Sequence, residues 1–127
     1  MTDVRFYLDY NSPYSYLASH LIEEVCKRQG ATLKWQPFVL GGVFKAVAHT
    51  PAFQLPQKGD YIWQDLEDLS GFYGIPYKPR STFLFNPILA LRATVAVPQG
   101  LQRAQAVHAL FRGAFAEDLN LGDSAVV

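Results

Sequence analysis

The chain has 127 residues, half of them hydrophobic and only 17% charged, which is enough for one folded domain with a sizeable core and too apolar for a disordered segment. Eleven basic residues balance eleven acidic ones. That neutrality removes any general electrostatic pull toward nucleic acid or anionic lipid. A single cysteine excludes an intrachain disulfide and fits a reducing compartment. The opening MTDVRFYLDY has no basic stretch followed by an apolar core, so it does not read as a secretory signal. No apolar run approaches the ~20 residues of a membrane span. The expectation is a soluble cytoplasmic protein.

Val4–Tyr10 alternates: Val4, Phe6, Leu8 and Tyr10 share one face, and Arg5, Tyr7 and Asp9 the other. This predicts a strand with one buried face. In the next stretch, NSPYS, Ser12 is a good N-cap and Pro13 suits a first helical turn. Tyr14, Leu17, Ala18, Leu21, Ile22 and Val25 then recur at helical spacing, predicting one helix with one apolar stripe that ends at Gly30. Thr32–Val39 reads as a second strand, so the first 40 residues form a β-α-β unit with a parallel crossover. Gly41-Gly42 and VFKAVA lead into a loop. Helices are expected over Asp60–Tyr73, stopped by Gly74, over Ile88–Val97 after Asn86-Pro87, and over Leu101–Glu117. The last of these carries Ala104, Val107, Leu110, Phe111 and Phe115 on one side. Residues 120–124 look like a loop and a helix cap. Two strands alone make a poor sheet, so a further source of strands is expected, either a partner chain or a longer fold.

Ser12 has two readings. At a strand–helix junction of an open α/β fold it faces the edge where ligands bind, and a helix start favours a thiolate, to which a serine hydroxyl can donate. The simpler reading is a helix cap. A hydrolase nucleophile would need an oriented base, and His20, His49 and His108 have no signature spacing toward it. Nor do these histidines form a metal-ligand pattern. Cys26 reads as a small core residue. Lys58 precedes Gly59 in a weakly charged loop, either solvated or facing an anionic ligand. Asn86 is most simply a cap.

The stretch FYLDYNSPYSYLA (6–18) resembles the opening of 2-hydroxychromene-2-carboxylate isomerases and kappa-class glutathione transferases, in the DsbA-like branch of the thioredoxin fold. KGDYIWQDLEDLSGFYGIPY (58–77) and FNPILALRA (85–93) resemble two later motifs of that family, in order and at natural spacing. The resemblance implies an α/β, thioredoxin-like N-terminal β-α-β unit (1–40) followed by an all-helical insertion (41–127). Where oxidoreductases of this fold carry Cys-x-x-Cys, this chain has Ser12-Pro13-Tyr14-Ser15, and a serine cannot exchange disulfides. The resemblance implies instead that Ser12 stabilises the thiolate of glutathione, and that Lys58 and Asn86 bind glutathione or substrate. The implied reaction is a glutathione-assisted isomerisation of an aromatic carboxylic acid. The thiolate adds to a conjugated intermediate, the bond rotates, and elimination restores it. A homodimer stays open. The family's C-terminal thioredoxin strands are missing here, so a truncated, weakly stable member is expected. A non-catalytic fragment or a glutathione-binding protein without turnover is the alternative.

Overall fold

The computed structural model describes residues 2–127. Strand β1 (Asp3–Leu8) pairs in parallel with β2 (Thr32–Pro37) in a two-stranded sheet, with Phe6 opposite Trp35 and Leu8 opposite Pro37. The crossover between them is α1 (Pro13–Ser19) and α2 (Ile22–Arg28). Beyond β2 all regular structure is helical: α3 (Leu40–Ala46), a short 3₁₀ turn (Ala52–Gln54), α4 (Pro56–Tyr73), α5 (Ile88–Ala96) and α6 (Leu101–Phe115).

Helix α6 supplies the middle of the core. Ala104, Val107, Phe111, Ala114 and Phe115 recur at three- and four-residue steps and are all buried. Tyr16 stacks on Phe115 at 5.0 Å, and Tyr10 meets Phe111 edge-on at 4.8 Å. On the sheet, Phe6 stands edge-on to the buried Trp35 at 5.5 Å. Fully burying a phenylalanine, as at Phe111 and Phe115, stabilises a fold by roughly 1.5–3 kcal/mol. Arg103 ties the α5–α6 connection to β2 by donating from Nε to Val97 O (2.8 Å), from Nη2 to Val95 O (3.0 Å) and from Nη1 to Trp35 O (3.1 Å).

Four elements differ from the sequence expectation. The single helix after Ser12 is two. The His20 and Leu21 N–H groups bond back three residues, to Leu17 O and Ala18 O, and Ser19 Oγ donates to Tyr16 O at 2.6 Å. Both features tighten and end the first helix. The stripe splits with it, leaving Tyr14, Leu21 and Val25 exposed while Cys26 is buried. VFKAVA lies largely within α3 rather than leading into a loop. Its first N–H, that of Leu40, is met by a carboxylate distant in sequence, Asp9 Oδ2 at 2.8 Å. Helix α4 begins at Pro56, four residues before Asp60, because proline suits a first turn. Finally, Asp9 is buried rather than on the outer strand face, since β1 ends at Leu8 and the chain turns inward. The remaining expectations for β1, β2, α5 and α6 hold within a few residues at each end. Gly74 ends α4 at φ 66°, a left-handed conformation that glycine adopts readily. Near the end of the chain, Asp123 Oδ1 accepts the Ala125 N–H at 2.9 Å within a run of turns, where the sequence predicts a loop and a helix cap.

Candidate functional site

Residues 9–12 link β1 to α1 and are fixed from three directions. The Asp9 carboxylate accepts the Asn11 N–H at 2.9 Å and the Leu40 N–H at 2.8 Å, joining this turn to the start of α3. Burial raises the Asp9 pKa, and these two N–H bonds pull it back only in part. Tyr10 is fully buried, and its hydroxyl lies 2.5 Å from Thr94 Oγ1 on α5. Thr94 donates its own proton to Ala90 O at 2.9 Å, so Tyr10 is the donor of the pair. The Asn11 amide makes a two-way clamp with Phe85, donating from Nδ2 to Phe85 O (2.8 Å) and accepting the Phe85 N–H on Oδ1 (3.3 Å).

Ser12 follows with extended backbone (φ −88°, ψ 110°) and its Oγ accepts the Ser15 N–H at 3.1 Å. The capping reading is therefore correct. It does not exclude the other one. A serine hydroxyl has one proton and two lone pairs, and the cap uses one lone pair. The proton stays available to an acceptor on the open side. Next to it, the Tyr14 hydroxyl donates to Asp65 Oδ2 at 2.7 Å, pinning α1 to α4. Partial burial first, and the Asp65 carboxylate second, push the Tyr14 hydroxyl up to about 12, so it stays protonated at neutral pH.

Ser12 lies on the wall of a cleft of about 600 Å³ between the β1–α1 turn, α3, α4 and segment 83–87. Its lining is chiefly apolar and aromatic, including Phe44, Phe53, Trp63 and Phe83. Lys45 and His49 add nitrogen-bearing side chains to the same cleft. The residues singled out in the sequence are distributed unevenly. Ser12 lines the cleft. Lys58 is exposed in the first turn of α4, not in a loop, and is not on the lining. Asn86 is exposed, and its Oδ1 caps α5 by accepting the Ile88 N–H at 3.0 Å. Its neighbours Phe85 and Pro87 line the cleft while Asn86 does not. Sequence reasoning passed over Asp9, Asn11, Lys45 and His49 as parts of this site. Asn11 had a local signal, its place beside Ser12 at the strand–helix junction. The others meet Ser12 only through the fold. Among the described residues no group of three or more His, Cys, Asp or Glu is placed to hold a metal ion, and no helix is long and apolar enough to cross a membrane.

A parallel β-α-β unit with a serine at its strand–helix junction, followed by helices, defines a thioredoxin-like architecture without the redox cysteines. The chain belongs to the DSBA-like thioredoxin domain family, whose family model matches residues 3–127. Among individual relatives, glutathione S-transferase kappa 1 of Caenorhabditis elegans is 33% identical over 82 residues, 64% of this chain and 36% of that protein. The 2-hydroxychromene-2-carboxylate isomerase of Pseudomonas putida is 35% identical over 75 residues, 58% of this chain and 37% of that protein. A solved structure of a 2-hydroxychromene-2-carboxylate isomerase superposes with a TM-score of 0.82 at 26% identity, covering 94% of this chain and 59% of that one. The matched stretch is thus little more than a third of the curated relatives' length.

Proposed function

We propose that this protein binds glutathione with its sulfur against Ser12 and acts as a glutathione-dependent isomerase on an aromatic carboxylic acid. One observation carries the reading: the Ser12 hydroxyl lines an aromatic cleft with its proton unused by the helix cap. Relatives named as a kappa glutathione transferase and as an aromatic acid isomerase support it.

The donor set fits a thiolate. Ser12 offers an O–H, and the adjacent Tyr14 N–H lies in the first turn of α1, where no intrahelical acceptor exists. A charge-assisted bond from Ser12 favours the ionised sulfur over the thiol and lowers its pKa from about 8.5. When bound, glutathione supplies a sulfur that can add to and leave a conjugated carbon, which is the chemistry a double-bond isomerisation needs. The protein's residues do the rest. Phe44, Trp63 and Phe83 offer faces for a planar ring and exclude water around it. Lys45 and His49 offer N–H donors to carboxylates. Asn11 and Asp9 are positioning residues, holding Ser12 against the 83–87 wall and α3. Lys58 and Asn86 lie off the cleft lining, so any contact they make is with a part of the ligand that extends beyond it, Lys58 with an anionic end. Holding both reactants in one cleft supplies much of the acceleration.

Calorimetric titration of the full chain and of Ser12→Ala with glutathione tests this, with S-methylglutathione as the ligand that has no thiolate. Weaker binding of glutathione by Ser12→Ala, with no such difference for S-methylglutathione, supports the reading. Equal glutathione affinity in two folded proteins overturns it.

A further inference from the structure

Among the described residues, the buried side-chain nitrogens and oxygens that lack a hydrogen-bond partner belong to two residues, Ser70 and Arg80. In Arg80 all three guanidinium nitrogens are without one; in Ser70 it is Oγ. Both residues line a single cleft of about 780 Å³ between α4 and segment 74–80. This is not the Ser12 cleft, although Trp63 lies on both.

Buried donors are nearly always paired, because a donor removed from water and left unmade is costly. The surroundings of Arg80 satisfy its charge and not its N–H groups. Its Cζ lies 4.3 Å from the Phe85 ring centre, 5.1 Å from Phe115 and 5.5 Å from Phe83. Ring faces attract a cation but accept N–H bonds poorly. The nearby carboxylate, Asp118, is turned to the Ser81 N–H at 2.8 Å. Burial pulls Arg80 down to about 10, against the opposing influence of Asp118 and Tyr77, so it remains a cation at neutral pH.

We propose that this second cleft is a ligand site that takes the carboxylate of a small aromatic acid, held by the Arg80 fork and the Ser70 hydroxyl. A planar carboxylate matches a guanidinium fork with two parallel bonds. Ser70 is 5% exposed and lines the same cleft, adding a third donor. Asp60 and Glu67 share the lining, which disfavours a dianion such as phosphate more than a monoanion. Trp63, Ile75 and Tyr77 supply apolar surface for a ring. The guanidinium nitrogens are covered in this conformation, and a ligand entering this cleft reaches them by a shift of the Arg80 side chain toward its own lining. The carboxylate donors of this site include neither Ser12 nor any group of glutathione.

The test is NMR of the arginine side-chain Nε–H signals of the full chain during titration with benzoate, with benzamide as the uncharged isostere. A saturable shift of the Arg80 signal with benzoate and none with benzamide is expected. Arg80→Lys, followed at the Ile75 and Tyr77 signals, is expected to weaken benzoate about tenfold, the effect of losing the bidentate fork. Ser70→Ala is expected to weaken it several-fold, and Ser12→Ala not at all. No Arg80 response to benzoate, an equal response to benzamide, or a response abolished by Ser12→Ala each overturns the proposal. The wild-type titration decides the matter even where Arg80→Lys does not fold.

Discussion

Removing either partner of the Tyr10–Thr94 hydrogen bond should have unequal costs. Both residues are fully buried, and the bond is 2.5 Å long. In Tyr10→Phe, Thr94 still donates to Ala90 O, so only one net bond is lost, about 1 kcal/mol. In Thr94→Val the shape is kept but the Tyr10 hydroxyl is left buried with no acceptor, a penalty of about 2 kcal/mol. Burial already raises the Tyr10 pKa, so it cannot escape by ionising. In the double variant both polar groups go, and the cost should fall back to about 1 kcal/mol. The single costs therefore exceed the double by about 2 kcal/mol, a coupling well above the additivity error of roughly 0.3–0.5 kcal/mol. Urea unfolding followed by tryptophan fluorescence measures all four proteins, with an unchanged m-value as the control for the denatured state. In thermal melts the Thr94→Val loss corresponds to a Tm lower by roughly 6–10 °C. If Thr94→Val costs no more than Tyr10→Phe, or if the two add in the double variant, the assigned donor direction and the dry pairing are both wrong. Because Tyr10 immediately precedes Asn11 and Ser12, the same bond anchors the proposed sulfur site to α5.

Three further outcomes follow from the packing. Arg103→Lys should destabilise by roughly 2 kcal/mol in urea titrations, since an ammonium cannot reach the three carbonyls that the planar fork meets. Gly59→Ala should destabilise the protein even though alanine favours a helix by ~1 kcal/mol, because a Cβ there would stand 2.8 Å from Phe53 O; a more stable Gly59→Ala would contradict the close approach of α4 to the 3₁₀ turn. Asp9 gives a pH dependence with a definite sign. Its pKa in the fold lies above the ordinary 3.8, so the folded protein holds this proton more tightly than the unfolded chain. The stability it contributes is complete below pH 3.8 and is lost as pH rises through the folded pKa. Asp9→Asn should flatten that part of the stability–pH curve.

Much of the scaffold was legible in local pattern. The alternation through Phe6 and Leu8, the Ser12-Pro13 start and the stripe of α6 all correspond to observed elements, since each depends on neighbours in sequence. The break at His20–Leu21 was not legible, because an apolar stripe survives on paper when a turn tightens to three-residue bonds. Helix α3 was hidden by two glycines and is started by Asp9, whose own burial follows from where β1 stops. The candidate site divides the same way. Ser12 could be read from its junction. Lys45, His49 and the Asn11–Phe85 clamp could not, because they meet only when α3 and segment 83–87 fold over the β1–α1 turn.

In the proposed function Ser12 donates a hydrogen bond to a bound thiolate while it caps α1. The most direct measurement is the thiol pKa of glutathione in complex with the full chain, read by ultraviolet absorbance of the thiolate across pH, in wild type and Ser12→Ala. A pKa below the free thiol's value in wild type that returns toward about 8.5 in a folded Ser12→Ala protein is the predicted result. A bound thiol that titrates at the same pH in both proteins contradicts it and leaves Ser12 a helix cap alone.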